Sequence, residues 1–218
     1  MNVFVAGGTG YLGQPLIHEL LARGHRVQAL ARAASAGKLP TGCEPLIADP
    51  LQPGSYSPAG CDSFVHLIGV SHPAPWKAAA FREIDIRSVE VAAAAAIAAH
   101  IRHFIYLSVA HPSPVMRSYT AAREQCEQII SCSGLNATFV RPWYVLGPGH
   151  RWPYLLKPAY WLMERIPSKR ESAQRLGLVT RVQVIATLLD AVEKPACGVR
   201  TIEVPEIRAT KMRAQAAA

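Results

Sequence analysis

Short apolar runs alternate along the chain with longer stretches whose apolar residues recur every three or four positions. The run NVFVA, residues 2–6, stops at a pair of glycines and reads as a buried strand. Residues 11–23 follow with Leu12, Leu16, Ile17, Leu20 and Leu21 at helical spacing and Gly24 in the C-cap position. Further strands are predicted at 26–30, 44–48, 63–68, 103–108, 136–141, 176–180 and 200–204. Helices are predicted at 78–100, an alanine-rich stretch, at 118–133 and at 181–193. The strand runs are apolar on both faces, the pattern of a parallel sheet covered by helices on either side. Residues 147–175 interrupt the rhythm with Pro, Trp, Tyr and basic residues. The pattern predicts one domain over residues 1–208, a small C-terminal lobe around 147–180 and a flexible tail over 209–218.

At 218 residues the chain is long enough for an ordinary core without staples. Half of it is apolar and only 17% charged, which excludes a disordered or coiled-coil chain. The net charge of +8 favours an anionic partner such as a phosphorylated cofactor. The basic residues form no long run, which argues against a nucleic-acid arm. Five cysteines (Cys43, Cys61, Cys126, Cys132, Cys197) include no CxxC pair, as expected of reduced thiols in a cytoplasmic protein. No apolar stretch reaches the length of a membrane span, and nothing before the first glycines reads as a signal peptide. The eight histidines show no paired-ligand spacing, so no metal is expected.

The most informative stretch is GGTGYLG, with Gly7, Gly10 and Gly13 between a predicted strand and a predicted helix. Glycines there allow a tight turn, bring backbone N–H groups against a pyrophosphate and let the helix pack closely. The helix N-terminus adds partial positive charge. The context predicts a Rossmann-type doubly wound parallel sheet with Gly7, Thr9, Gly10, Tyr11, Leu12 and Gly13 at a dinucleotide. A site for NAD(H) wants a carboxylate near the end of the second strand. This chain has Arg32 there, with Ser35 and Lys38 following. A guanidinium binds a 2′-phosphate that a carboxylate would repel, so NADP(H) is preferred and NAD(H) is the alternative.

With GGTGYLG, HLIGVSH, HFIYLS, the 119–123 stretch and RPWYVLGPG in that order, the sequence resembles the short-chain dehydrogenase/reductase superfamily. It is most similar to the extended and atypical branches, which hold NAD(P)-dependent epimerase/dehydratase-like and NAD(P)H-binding proteins. The resemblance implies that Asp49 and Leu51 lie by the adenine and that Gly69 approaches the cofactor. It implies further that Ser108 and Pro142 border the nicotinamide end. It also implies a catalytic Tyr119, with Arg123 standing where the family has a lysine one helical turn on. An arginine can stabilise a phenolate by charge but cannot relay a proton. Ser108 is the candidate hydroxyl partner, although Val109 competes for that alignment.

The reading is an oxidoreductase that moves hydride between nicotinamide and a carbonyl or alcohol carbon. Its alternatives are a non-catalytic NAD(P)H-binding sensor or assembly subunit, and a nucleotide-sugar epimerase or dehydratase. The aromatic cluster Trp143, Tyr144, Trp152, Tyr154, Tyr160 and Trp161 serves as a substrate pocket, lobe packing or a homodimer face. Residues 153–166 on a membrane surface are the weaker alternative. His111 and His150 border the expected cleft, as solvated loop residues or as donors to a substrate carbonyl.

Overall fold

The computed structural model describes residues 1–71, 73–113, 115–148 and 175–212. In chain order the strands are β1 (Asn2–Ala6), β2 (Arg26–Ala31), β3 (Glu44–Ile47), β4 (Ser63–His66), β5 (His103–Leu107), β6 (Ala137–Val140), β7 (Tyr144–Leu146), β8 (Leu178–Thr180) and β9 (Val199–Ile202). The helices are α1 (Gly13–Ala22), α2 (Ala78–Ala80), α3 (Arg87–Ala98), α4 (Arg117–Cys132), α5 (Arg181–Glu193) and α6 (Val204–Ala209). Seven strands form a parallel sheet in the order β3-β2-β1-β4-β5-β6-β9. This is a Rossmann-type α/β fold. The chain builds outward from β1 to β3, then crosses back to lay β4 on the other side of β1. The carboxyl ends of β1 and β4 therefore diverge into the crevice where such sheets hold ligands.

Alternation along β1 explains why its run is wholly apolar. Val3 and Val5 face one layer with Leu16, Ile17 and Leu20 of α1 and Val184 and Leu188 of α5. Phe4 and Ala6 face the other with Phe64, Val89, Ala92, Phe104 and Tyr106. Parallel register carries both layers across the sheet, with Val5 opposite Ala29 of β2 and Val65 of β4.

Three elements differ from the sequence pattern. The single helix expected over 78–100 is composite: a 3-10 turn at Pro75–Lys77, the short α2, π-helical turns at Phe81–Ile86, and α3. The wide π turns bury Phe81, Asp85 and Ile86 together, whereas a straight α-helix would keep Phe81 and Asp85 on one face and turn Ile86 away. Strand β4 ends at His66 rather than at 68. Leu67 N–H still bonds Ala6 O at 2.9 Å, but the next residues turn away to line the crevice. At the C-terminus, α6 forms where the end of a strand and a tail were expected. Glu203 caps it, Glu206 returns the hydrogen bond to Glu203 N–H at 3.0 Å, and Val204 and Ile207 are buried. Met212 still packs against the core, so the packed chain passes the expected limit of 208.

Strands β7 and β8 pair in a small parallel sheet of their own, Tyr144 opposite Leu178 and Leu146 opposite Thr180. Thr180 then caps α5 in a reciprocal box with Gln183. Trp152, Tyr154, Tyr160 and Trp161, His150 and the 153–166 stretch lie outside the described residues.

Candidate functional site

The loop after β1 is wound against the start of α1. Gly10 N–H bonds Gly7 O at 3.1 Å, and the Gln14 side chain bonds Thr9 O at 3.0 Å. A Cβ on Gly13 would lie 2.2 Å from Gly7 O and 2.7 Å from Gly8 Cα. The close approach that requires glycine here is therefore to the loop's own backbone, rather than to the sheet. The first turn of α1 has no side-chain cap and no acidic residue; Gln14 N–H bonds Gly10 O at 3.2 Å and Pro15 has no N–H, which leaves Gly13 N–H to meet an anion.

A cavity of about 390 Å³ opens beside this loop. Its walls are Gly7 and Thr9, then Leu30 to Arg32 and Ser35 at the end of β2, Asp49 to Leu51 after β3, and Leu67 to Ser71 after β4, with Ile84. Asp49 is folded into its own turn: one carboxylate oxygen accepts from Leu51 N–H at 2.9 Å, and Ser55 Oγ donates to its carbonyl at 2.7 Å. Arg32 follows β2 between Ala31 and Ala33 in the chain and shares the cavity wall with Asp49. Of the residues singled out in the sequence, Gly7, Thr9, Arg32, Asp49, Leu51 and Gly69 line this cavity. Gly10, Leu12 and Gly13 shape the loop behind it. Tyr11 is turned toward Arg181, whose guanidinium lies 5.0 Å from the ring centroid. Lys38 is not in the lining. Pro142 is buried, its carbonyl accepting from Ala110 N–H at 2.9 Å.

Outside the cavity lining, Tyr119 and Arg123 stand one turn apart on α4, with the Arg123 guanidinium against Gly69 of the cavity wall. The Arg123 guanidinium lies 5.2 Å from the Tyr119 ring centroid. It donates to Tyr106 Oη at 2.9 Å and Leu107 O at 3.0 Å, and pairs with Asp85 at 3.4 Å. Arg123 is buried and Asp85 completely so. Burial works against the arginine's charge, but Tyr106, Tyr119 and Asp85 outweigh it and hold its pKa well up. Burial pushes the Asp85 carboxyl up, while Arg123 and the Val70 N–H pull it back. Beneath them His66 is fully buried and neither ring nitrogen makes a hydrogen bond of good geometry. Burial, helped by the Arg123 cation and opposed weakly by the Ser88 backbone, lowers its pKa to about 3. Ser108 is buried at the end of β5, its N–H bonded to Val140 O at 2.8 Å. Asp85 had one sequence signal, its place at helical spacing from Phe81, Val89 and Ala92 on the apolar face of a mixed stretch.

The family model described as NAD(P)H-binding matches residues 7–154, more than half of the chain. The chain belongs to the NAD(P)H-binding family. Among its relatives, a 4-hydroxy-2-methyl-3-oxo-4-farnesyl-3,4-dihydroquinoline-1-oxide ketoreductase of Stigmatella aurantiaca is 29% identical over 174 residues, 67% of this chain and 51% of that protein. The photosystem II assembly factor Ycf39 of Cyanophora paradoxa is 29% identical over 148 residues, covering 65% and 44%. A ceramide reductase of Caulobacter vibrioides is 26% identical over 151 residues, covering 67% and 47%. The chain spans about half the length of the curated relatives it matches. A structure of MoeE5 with UDP-glucuronic acid and NAD shares the fold at a TM-score of 0.70 and 16% identity, covering 95% of this chain and 80% of that one. The UDP-glucose 4-epimerase of Thermotoga maritima does so at 0.69 and 19%, covering 93% and 77%.

The residues of this NAD(P)H-binding protein fit a nicotinamide dinucleotide. Its tightly wound glycine loop, uncapped α1 and crevice running from Arg32 to Ser71 suit a pyrophosphate flanked by two nucleosides. His111 is neither solvated nor free. Its Nδ1 lies 3.0 Å from Glu124 and its Nε2 3.3 Å from Glu127, which also binds Arg141 at 2.9 Å. Burial raises the Glu127 pKa, but hydrogen bonds from His111, Arg141 and Ser108 outweigh that and leave it lowered. Among the described residues no cluster of His, Cys, Asp or Glu could hold a metal ion, and no helix is long and apolar enough to cross a membrane.

Proposed function

We propose that the protein is an NADP(H)-dependent reductase of carbonyl groups on substrates with large apolar portions. The observation that carries the cofactor choice is Arg32 in the cavity lining just after β2, at the position where a site for NAD(H) wants a carboxylate. A guanidinium at the end of β2 meets a 2′-phosphate with charge-assisted hydrogen bonds, worth about 1.5–3 kcal/mol against an uncharged group. The crevice walls at Gly7, Thr9, Arg32 and Gly69 would hold the dinucleotide, whose reduced nicotinamide would provide the hydride for a carbonyl carbon. Tyr119 gives the carbonyl oxygen its proton, and the Arg123 cation beside its ring stabilises the phenolate left behind. Ser108 is assigned to the same end of the site, as a hydroxyl near the cofactor.

The substrate class rests on two kinds of support. The names of the ketoreductase and ceramide reductase relatives each carry a long hydrocarbon portion. On this chain Trp76 is 83% exposed beside Lys77, which bonds Ser71 O at the rim of the cavity, and Val115 is exposed just before α4. A non-catalytic role is the second reading. It is favoured by the Arg123 charge being already paired with Asp85, and by the likeness to an assembly factor.

Fluorescence titration with NADPH and NADH, followed by NADPH consumption with long-chain ketones and aldehydes, tests these readings. Arg32→Ala is expected to weaken NADPH about 10- to 100-fold and leave NADH within about twofold. Equal effects on both would remove the 2′-phosphate assignment. NADPH binding with no turnover of any carbonyl, and no effect of Tyr119→Phe, would establish the second reading.

A further inference from the structure

Asp85 is a completely buried carboxylate that belongs to neither the glycine loop nor the Tyr119–Arg123 pair, yet it touches both the backbone of the cavity wall and the arginine behind it. One oxygen accepts from Val70 N–H at 2.7 Å, anchoring the Gly69–Val70 backbone that lines the cavity. The other faces Arg123 Nη2 at 3.4 Å. The guanidinium in turn lies directly against Gly69: a Cβ built there would fall 2.1 Å from Nη2 and 3.4 Å from the first Asp85 oxygen. Gly69 is therefore flanked by a cation and the carboxylate that restrains it. The π-helical turns at Phe81–Ile86 bring Asp85 to this position. Such turns are rare and concentrate at functional sites. A buried ion pair is seldom the most stabilising way to fill a core, so its retention calls for a role other than stability.

We propose that Asp85 is a positioning residue for the nicotinamide half of the dinucleotide site. It sets the Gly69–Val70 lining with one oxygen and holds the Arg123 guanidinium below that lining with the other. The inference rests on the cofactor reading above and adds a division of labour within the crevice. The adenosine half, at Arg32, Ser35 and Asp49, is set by β2 and β3 and does not depend on Asp85. Loss of the carboxylate frees the Val70 N–H and leaves Arg123 an unpaired buried cation pressing on Gly69. Only ligands that reach the inner half feel either change.

Two probes read this split without any turnover: NADPH, which spans both halves, and adenosine 2′,5′-bisphosphate, which occupies only the outer one. Asp85→Ala is expected to weaken NADPH about tenfold or more while leaving the bisphosphate within about twofold of wild type. Asp85→Asn, which keeps an acceptor for Val70, is expected to fall between wild type and Asp85→Ala for NADPH. A merely structural role would move both probes together or neither. Should Asp85→Ala fail to fold, Asp85→Asn, which keeps the shape of the side chain, is expected to show the same split with a loss of about three- to tenfold for NADPH. NADPH affinity within twofold of wild type in whichever of the two variants folds would overturn the proposal, as would a parallel loss of the bisphosphate. Wild-type protein that bound neither probe would instead refute the cofactor reading, and this proposal with it.

Discussion

His66 should make the protein acid-sensitive well before its carboxylates titrate. The imidazole is enclosed by Phe64, Phe104 and Tyr106, with ring centroids 6.4, 6.2 and 5.7 Å away, and the Arg123 cation adds its repulsion. Its native pKa is about 3 against an ordinary value near 6.5. Below pH 6.5 the unfolded chain takes up a proton that the native state refuses. The contribution to stability is thus complete above about pH 6.5 and is lost as pH falls toward 3. Each unit in that window costs up to about 1.4 kcal/mol, so the step from pH 7 to 5 removes about 2 kcal/mol through this residue alone. The assay is urea unfolding of wild type and His66→Leu at pH 7 and pH 5. At pH 7 the variant should be nearly as stable as wild type, because an apolar side chain replaces an unpaired polar one. Between the two pH values it should lose about 2 kcal/mol less. Equal losses in the two proteins would refute the argument that His66 is held neutral.

Gly13→Ala should disrupt the loop, since its methyl group meets backbone that cannot swing aside; a loss of about 3 kcal/mol in urea unfolding, with NADPH binding abolished, is expected. Gly69→Ala presses on the end of the Arg123 side chain, and a loss of about 1–3 kcal/mol together with weaker NADPH binding is expected from parallel melts and titrations. Thr180→Ala removes the N-cap of α5 and should cost about 1 kcal/mol by denaturant midpoint, with cofactor affinity unchanged. Glu127→Gln should cost about 2 kcal/mol at neutral pH, because Arg141 keeps Glu203 at 2.8 Å. Since the Glu127 pKa is lowered, its contribution is present above the ordinary glutamate range and disappears as pH falls through the native value, so the variant's acid limb should be flatter.

Local features of the chain were legible before any coordinates. The apolar runs located the sheet strands, and GGTGYLG located the tight glycine turn between β1 and α1, because turns and helix starts depend on a few adjacent residues. Tyr119 and Arg123 share a face because α-helical spacing places residues four apart together. Arg32 was legible for the same reason, sitting where a strand ends. The two misplaced ends also have local causes. Glutamate, unlike aspartate, is an uncommon N-cap, so Glu203 gave little warning of α6, and residues 67–68 are as apolar as the strand they leave.

What the sequence determined by itself was therefore the class of fold, the glycine loop and the residues aligned by periodicity. Only the tertiary structure decided how the inner end of the crevice is wired. Asp85, Tyr106 and Arg123 come from three separate elements, and their meeting depends on strand order and on a change of helical pitch. Pitch and strand order are settled by the packing of whole layers, where burying Phe81, Asp85 and Ile86 together outweighs the preference of an alanine-rich stretch for a straight helix. A pattern read one segment at a time carries no term for that competition.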